Sequence, residues 1–360
     1  MTKHLLVDVT GHGYGHFAQT AHVLNALCEM LPNITITLRT ALPSKLVKSL
    51  LNNPVEHIQR SNDFGMYMTS ALDVDKPRSA QAYQALHQHW QTQVVSEAEL
   101  LKTLAPDLVV SNISYLTLAA AKAIDLPSIA FCSLNWAEIY RGYFNDRPEA
   151  HVIYQQMLAA YNSALVFFQP EPSMDMPGLD NLRNIGALAV IGKNQRAKLM
   201  EQQKLGADCR FVLVSLGGIA TKIPVEQWPQ FPGIVWVITW QQEVSRPDIV
   251  AHTQFDMSFT DLVASCDAII TKPGYGTVVE AVCNQIPMLY VARQDWPEEP
   301  YLIDWLAQWG RSQQISYEQL QSGEFYKELH GLFDKRLAFG KLPSGNKEIA
   351  EEIASLLFAN

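Results

Sequence analysis

The sequence predicts an α/β protein built from two doubly wound parallel-sheet domains in series. Three observations lead there. The chain has 360 residues, more than one ordinary compact domain holds. Short apolar runs alternate with helical patterns through both halves. A turn-rich stretch from Gln169-Pro170-Glu171-Pro172 to Met176-Pro177-Gly178 interrupts that alternation near the middle. Residues 1–170 are therefore assigned to an N-terminal Rossmann-like domain and 171–345 to a C-terminal one. Residues 346–360 form a final helix placed back against the first domain.

In order, Leu5 to Val9 reads as a buried strand, followed by a glycine loop and a helix from about Phe17 to Leu31. Ile34 to Leu38 alternates with period two and is the second strand. A long polar helix, Ser79 to Leu104, leads to strands at Asp107–Ser111, Pro127–Phe131 and Ala164–Phe168. The pattern restarts with strands at Phe211–Val214, Ile234–Ile238, Ala268–Thr271 and Pro287–Val291, and closes in an amphipathic helix, Asn346 to Phe358. Strand and helix in alternation means a parallel sheet covered on both faces.

Composition narrows the function. The chain is 48% apolar and 18% charged with a net charge of −9, which lacks the basic field of a nucleic-acid binder. A small anion remains compatible, because backbone N–H groups bind phosphate without positive net charge. The cysteines Cys28, Cys132, Cys209, Cys266 and Cys283 are scattered without a CxxC pair and read as free thiols in a reducing compartment. No apolar stretch approaches the roughly 20 residues that span a bilayer, and a strand begins at once after Met1. The expected location is the cytoplasm.

Two loops carry the chemistry. Thr10-Gly11-His12-Gly13-Tyr14-Gly15-His16 lies between the first strand and its helix. Gly13 and Gly15 permit a sharp turn and close approach, and the helix start offers N–H groups to an anion. The spacing is wrong for G-x-G-x-x-G, which needs glycine at His16. The second strand ends Leu38-Arg39-Thr40 where an NAD site has an acid, which weakens a nicotinamide reading without removing it. His16, at the junction of loop and helix, is the candidate general base, with His12 as understudy and Asp8 as the carboxylate guessed to orient it. The competing reading makes the histidine a mere lining of the turn.

The second loop is Thr271-Lys272-Pro273-Gly274-Tyr275-Gly276-Thr277-Val278-Val279-Glu280. Gly274 and Gly276 let the chain wrap a phosphate, and a helix starting near Thr277 points its N-terminus at it. Thr277 and Glu280 share a helical face, suited to a phosphate oxygen and ribose hydroxyls; a simple capping box explains the same pair. Tyr275 sits at the tip, and Lys272 adds charge beside the diphosphate or is merely solvated. Ser215-Leu216-Gly217-Gly218 forms a third glycine loop, read either as a generic turn or as a phosphate contact.

This segment resembles the donor-binding motif of GT-B nucleotide-sugar glycosyltransferases. It is similar to bacterial peptidoglycan N-acetylglucosaminyltransferase and to the glycosyltransferase-like N-terminal half of plant arabinokinases. In those families a glycine loop, a Thr or Ser and a Glu follow the strand in this order. The next strand, Pro287-Met288-Leu289-Tyr290-Val291, and Arg293-Gln294-Asp295-Trp296-Pro297-Glu298-Glu299-Pro300 continue the likeness. So do Asp107 to Ser111 and Asn135-Trp136-Ala137-Glu138-Ile139-Tyr140, although Asn112 stands where those sequences read V-S-D.

The resemblance implies a GT-B fold, two Rossmann-like domains facing across a cleft. Its implied donor site comprises Gly13, Gly15, Gly217, Gly218, Lys272, Gly274, Tyr275, Gly276, Thr277, Glu280, Glu298 and Glu299, at least one of the last two meeting sugar hydroxyls. The competing reading of that pair is an acidic helix start favoured by the macrodipole. Arg39, Asn135 and Trp136 are placed on the acceptor side. The implied activity moves a hexose-type sugar from a UDP- or dTDP-sugar to an acceptor hydroxyl, inverting and metal-independent, as no D-x-D motif falls in a plausible loop. The nucleotide-sugar is a substrate, so no cofactor is expected. Neither nucleic acid nor a transmembrane segment enters, while peripheral membrane contact stays open because lipid-linked acceptors occur among the resembling enzymes. A nucleotide-sugar epimerase, a non-catalytic nucleotide-sugar-binding regulator and a nicotinamide oxidoreductase remain as alternatives, in that order.

Overall fold

The computed structural model describes residues 3–203, 208–217, 223–240, 245–333 and 341–358. Among the described residues, thirteen strands fall into two sheets. The first holds β1 (His4–Val9), β2 (Thr35–Arg39), β3 (Glu56–Ile58), β4 (Leu108–Asn112), β5 (Ser128–Phe131), β6 (Phe167–Pro170) and β7 (Leu182–Ile185). The second holds β8 (Arg210–Val214), β9 (Ile234–Ile238), β10 (Ile249–Ala251), β11 (Ala268–Thr271), β12 (Met288–Val291) and β13 (Ser312–Ile315).

Strand order is β3-β2-β1-β4-β5-β6-β7 in one sheet and β10-β9-β8-β11-β12-β13 in the other, and every pairing within the sheets is parallel. The central strands are apolar because helices cover both faces: Leu5, Val7, Val110 and Ile129 are fully buried in one sheet, Leu213, Trp236, Ile269 and Leu289 in the other. Each sheet reverses its order once, between β1 and β4 and between β8 and β11. At such a reversal the loops leaving the two strands diverge and open a crevice at the carboxyl edge. This places the loop after Val9 and the loops after Val214 and Thr271 where ligands bind in doubly wound sheets.

The polar helix expected over Ser79–Leu104 is two helices, Lys76–Gln88 and Trp90–Leu104, joined at His89. The first sheet also continues past the turn-rich stretch at 169–178. β7 pairs with β6 in register Phe167↔Leu182, so the change of sheet falls after Ile185. Residues 171–181 form an excursion inside the first sheet, since Asn162 and Asn181 side chains hold its backbone through Gly178 and Ala164 carbonyls.

The chain crosses between the sheets twice, and the crossings touch. Gly345 N–H donates to the Ala187 carbonyl at 3.2 Å, and Asn346 Nδ2 donates to Ala189 O at 2.6 Å. The helix Gly345–Phe358 then packs on the helix Gly15–Met30 of the first sheet, burying Ile349, Ile353 and Leu357. Among the described residues no helix is long and apolar enough to cross a membrane. The five cysteines are unpaired.

Candidate functional site at the facing sheet edges

The first loop turns through Gly13 at φ +70°, a left-handed conformation that favours glycine. The helix that follows starts at Gly15, one turn's fraction earlier than the sequence suggested, and places His16 in its first turn. His16 is 8% exposed. Its Nδ1 lies 3.0 Å from Asn112 Oδ1, at the end of β4. Asn112 Nδ2 donates to Gln19 Oε1 at 3.1 Å, which fixes the amide so that its oxygen faces the ring. Nδ1 therefore carries the proton and Nε2 keeps a free lone pair. Burial holds the imidazole below its ordinary value, opposed by the Asn112 bond and by the charge of Glu298.

His12 projects from the same loop. Its Nδ1–H donates to the Met66 carbonyl at 3.0 Å. Desolvation, with the neighbouring His16 and Lys272, lowers its pKa to about 3, so it is neutral near pH 7. Its ring packs parallel to Trp296, centroids 5.7 Å apart, and edge-on to Trp136 at 5.1 Å. Trp296 belongs to the second half of the chain, so the two sheet edges meet at this point.

Across from the histidines stands the glycine-lysine loop. The helix there spans Tyr275–Cys283 with Gly274 at its N-cap and no side-chain cap. It thus begins two residues before Thr277, and the capping box that Thr277 and Glu280 could form is absent. The first N–H groups of such a helix have no partner inside it and are available to an anion. A methyl group built on Gly276 would meet nothing within 4 Å, so open space adjoins the turn. Thr277 is half-buried beside it.

Lys272 lies between the two glycine loops of this half: its Cε is 3.7 Å from a Cβ built on Gly217 and its Nζ 3.5 Å from one on Gly274. Gly217 itself is exposed at φ +85°. Gly218 lies outside the described residues. Burial, aided by the Arg293 charge, lowers the Lys272 pKa to about 7.

The remaining residues assigned to the donor from the sequence are held by specific partners. Tyr275 is buried and turned toward the chain crossings: its hydroxyl accepts from Leu188 N at 2.9 Å and donates to Glu171 O at 3.2 Å. Glu280 faces the first half, its Oε1 3.5 Å from His22 Nε2. Glu298 accepts from Ser133 Oγ at 2.6 Å, across the halves, and from Trp296 Nε1 at 3.0 Å. Glu299 accepts from the Arg293 backbone N at 2.7 Å and its Nε at 2.6 Å, while Arg293 Nη2 donates to Pro273 O. Glu299 thereby braces the Lys272–Gly274 turn through Arg293. Burial raises its carboxyl against the pull of that guanidinium.

Two expectations need correction. Asp8 does not reach His16: its oxygens accept from Arg39 Nε at 2.9 Å and Nη2 at 3.0 Å. Arg39, 0% exposed, also pairs with Glu97 at 2.6 Å, so it neither lines the acceptor side nor offers its charge to a ligand phosphate. Both belong to a buried charge cluster beneath the sheet edge, because charges that deep persist only when paired. Asn135 is the N-cap of the helix Trp136–Phe144, accepting from Glu138 N at 2.8 Å, and its Nδ2 is buried without a partner. Trp136 packs against both histidines, 5.7 Å from His16.

Sequence reasoning missed Asp63, Ser133, Trp296 and Arg293 as parts of this site. Trp296 and Arg293 flank the acidic pair and could have been drawn from it. Asp63 stands in a loop with no readable code.

Taken together, the two parallel sheets, their paired switch points and the C-terminal helix returning to the first domain define the GT-B fold of the glycosyltransferases. Solved structures agree over the whole chain. The spinosyn forosaminyltransferase SpnP matches with a TM-score of 0.62 at 14% identity, covering 99% of each chain. The calicheamicin glycosyltransferase CalG4 gives 0.61 at 17% identity, over 99% of this chain and 94% of that one. Glycosyltransferase VinC, in complex with dTDP, gives 0.58 at 16% identity, over 99% and 95%. Among curated proteins, L-arabinokinase of Arabidopsis thaliana is 24% identical over 317 residues, 85% of this chain. The chain spans 30% of that relative's length. No family model matches.

Proposed function

We propose that this chain is a glycosyltransferase that moves a hexose-type sugar from a UDP- or dTDP-sugar to an acceptor hydroxyl, by an inverting, metal-independent displacement. One observation carries the reading. A buried histidine with a free Nε2 stands at one switch point, and a helix N-terminus without a side-chain cap, beside a half-buried lysine, stands at the other, joined by the His12–Trp296 contact. A base for a hydroxyl and a cradle for a leaving diphosphate are the two things direct glycosyl transfer requires.

In this account the donor diphosphate rests on the amides of Tyr275, Gly276 and Thr277, with Lys272 and the Gly217 turn closing its other side. Charge grows on the leaving oxygen as the anomeric bond breaks, and oriented N–H groups with the lysine stabilise it. Gly13 and Gly15 face the same ligand from the first half. Glu280 would meet ribose hydroxyls, exchanging its contact with His22. Glu298 and Glu299 retain free lone pairs for sugar hydroxyls. The acceptor enters from the first half, past Trp136, and His16 Nε2 removes its proton as the oxygen attacks. Burial favours that imidazole in the neutral form the step requires.

The solved relatives support the donor class: one is complexed with dTDP and one spinosyn rhamnosyltransferase with thymidine diphosphate. The test is a thermal-shift panel of UDP, dTDP, GDP, ADP and NADPH on the wild type, Thr277→Ala and Glu280→Ala. The reading expects a uridine or thymidine diphosphate response that both substitutions weaken. A response to NADPH alone, or one that neither substitution touches, would contradict it. Product analysis without an acceptor separates transfer from epimerisation, which alone would return an isomerised nucleotide-sugar.

A further inference from the structure

The segment from Ser61 to Tyr67 is laid across the glycine loop of the first half and is fastened to it at several points. Ser61 Oγ accepts from Gly11 N at 3.0 Å and donates to the Asp63 carbonyl at 2.9 Å. Asn62 Nδ2 donates to Thr117 Oγ1 at 3.1 Å, and Tyr67 N to Ser79 Oγ at 3.0 Å. The Met66 carbonyl takes the His12 Nδ1 proton. Gly65, at φ +59°, lets the strap lie flat: a methyl there would stand 2.6 Å from the Trp136 ring and 2.8 Å from His12 Cβ. So close a fit between a loop and two site residues is costly to order unless the loop sets their positions.

Asp63 is the centre of this strap. It is 9% exposed, and one carboxylate oxygen accepts from Thr10 Oγ1 while the other accepts from Trp136 Nε1 at 3.2 Å. The Trp136 ring in turn packs on His12 and His16. His16 Nδ1 meets two neutral groups, the Asn112 amide at 3.0 Å and the Cys132 thiol at 3.5 Å.

We propose that Asp63 is the positioning residue of the site, holding the Trp136 indole by its N–H so that the ring fixes the orientation of His16. The role rests on the proposed use of His16 as base, but the arrangement is testable without any turnover. The other ionisable groups facing Asp63 are Asp8, itself paired with Arg39 alongside Glu97, and the phenols of Tyr83, Tyr115 and Tyr161. None of them offers Asp63 a cation, because Arg39 is engaged by the other two acids. Desolvation accordingly raises the Asp63 pKa to about 7, against the opposing bonds from Thr10 and Trp136.

The experiment is a pH titration of the full chain by NMR, following the Trp136 indole N–H and the His16 ring nitrogens. Trp136→Phe and His16→Ala provide the assignments. The indole proton of the wild type should move downfield as pH rises through about 7, when the carboxylate forms and its hydrogen bond strengthens. Asp63→Asn should abolish that movement and displace the His16 ring signals. In Trp136→Phe the same Asp63→Asn change should leave His16 unmoved, since the link is gone. An indole signal indifferent to Asp63→Asn, or an equal effect on His16 with and without the indole, would overturn the proposal. If Asp63→Asn fails to fold, the wild-type indole titration and the Trp136→Phe displacement of His16 decide the same question. A nucleotide response that persists unchanged in Asp63→Asn keeps the donor reading separate from this one.

Discussion

At the scale of single residues, burial shifts the protonation of the groups the proposed function uses. Lys272 titrates at about 7 when the site holds no anion, because desolvation and Arg293 disfavour its charge. A bound diphosphate favours the charged form, so binding takes up a proton above that pH. The sign follows: affinity for UDP or dTDP should fall as pH rises from 7 to 9, approaching about tenfold per pH unit. Lys272→Ala should bind more weakly and lose that dependence, as calorimetry across the range would reveal; an unchanged slope would remove the lysine from the phosphate site. For His16, burial keeps the neutral base populated at neutral pH, so the transfer rate should fall only on the acid side of the ordinary histidine range. His16→Ala should cost roughly 10²–10⁴ in kcat and leave nucleotide binding intact. Retained turnover in that variant would assign the base elsewhere. Arg39 answers to a different logic. It neutralises Asp8 and Glu97 together, so Arg39→Leu should lower stability by about 3–5 kcal/mol in denaturant melts.

At the scale of elements, what was legible in the sequence and what was not separates by burial. The central strands β1, β4, β5, β8, β9, β11 and β12 are apolar over most of their length, and each was found from its run alone. The strands that escaped, β3, β7, β10 and β13, lie at sheet margins and span only three or four residues; all but β10 also carry polar positions. Glu56-His57-Ile58 and Leu182-Arg183-Asn184-Ile185 have no periodicity long enough to read. The helix at Tyr275–Cys283 was legible because glycine, threonine and acid recur at fixed offsets. Its true start at Tyr275 was hidden, because its N-cap is Gly274, which has no side chain to cap it. Tyr275 shows why the turn holds its shape: the hydroxyl bonds the backbone of both Leu188 and Glu171, tying the helix start to the chain crossing. Tyr275→Phe should leave the buried Leu188 N–H unpaired and cost about 1–3 kcal/mol of stability. A melt indistinguishable from wild type would mean the crossing does not depend on that anchor. The strap at Asp63 was invisible for the opposite reason, since its meaning lies in contacts with Thr10 and Trp136, 53 and 73 positions away.

At the scale of the whole molecule, the halves meet through shared apolar packing, with polar contacts added at the facing edges. Lys76 pairs with Asp295 at 2.6 Å, Tyr143 donates to the same carboxylate, Ser133 to Glu298, and His22 meets Glu280. The final helix, Gly345–Phe358, returns to the first half and ties the halves together at the crossings. The restart of the strand pattern signalled two parallel sheets in series. The contacts between the halves were not readable, since they join residues far apart in the chain.

The central claim is that a nucleoside diphosphate sits on the helix N-terminus at Tyr275–Thr277, opposite His16. A crystal structure with UDP or dTDP bound tests it most directly. The account predicts phosphate oxygens within hydrogen-bond reach of the Gly276 and Thr277 amides and of Lys272 Nζ, with the terminal phosphate directed toward His16 Nε2. A nucleotide seated elsewhere, or with its phosphates turned away from that helix, would contradict it.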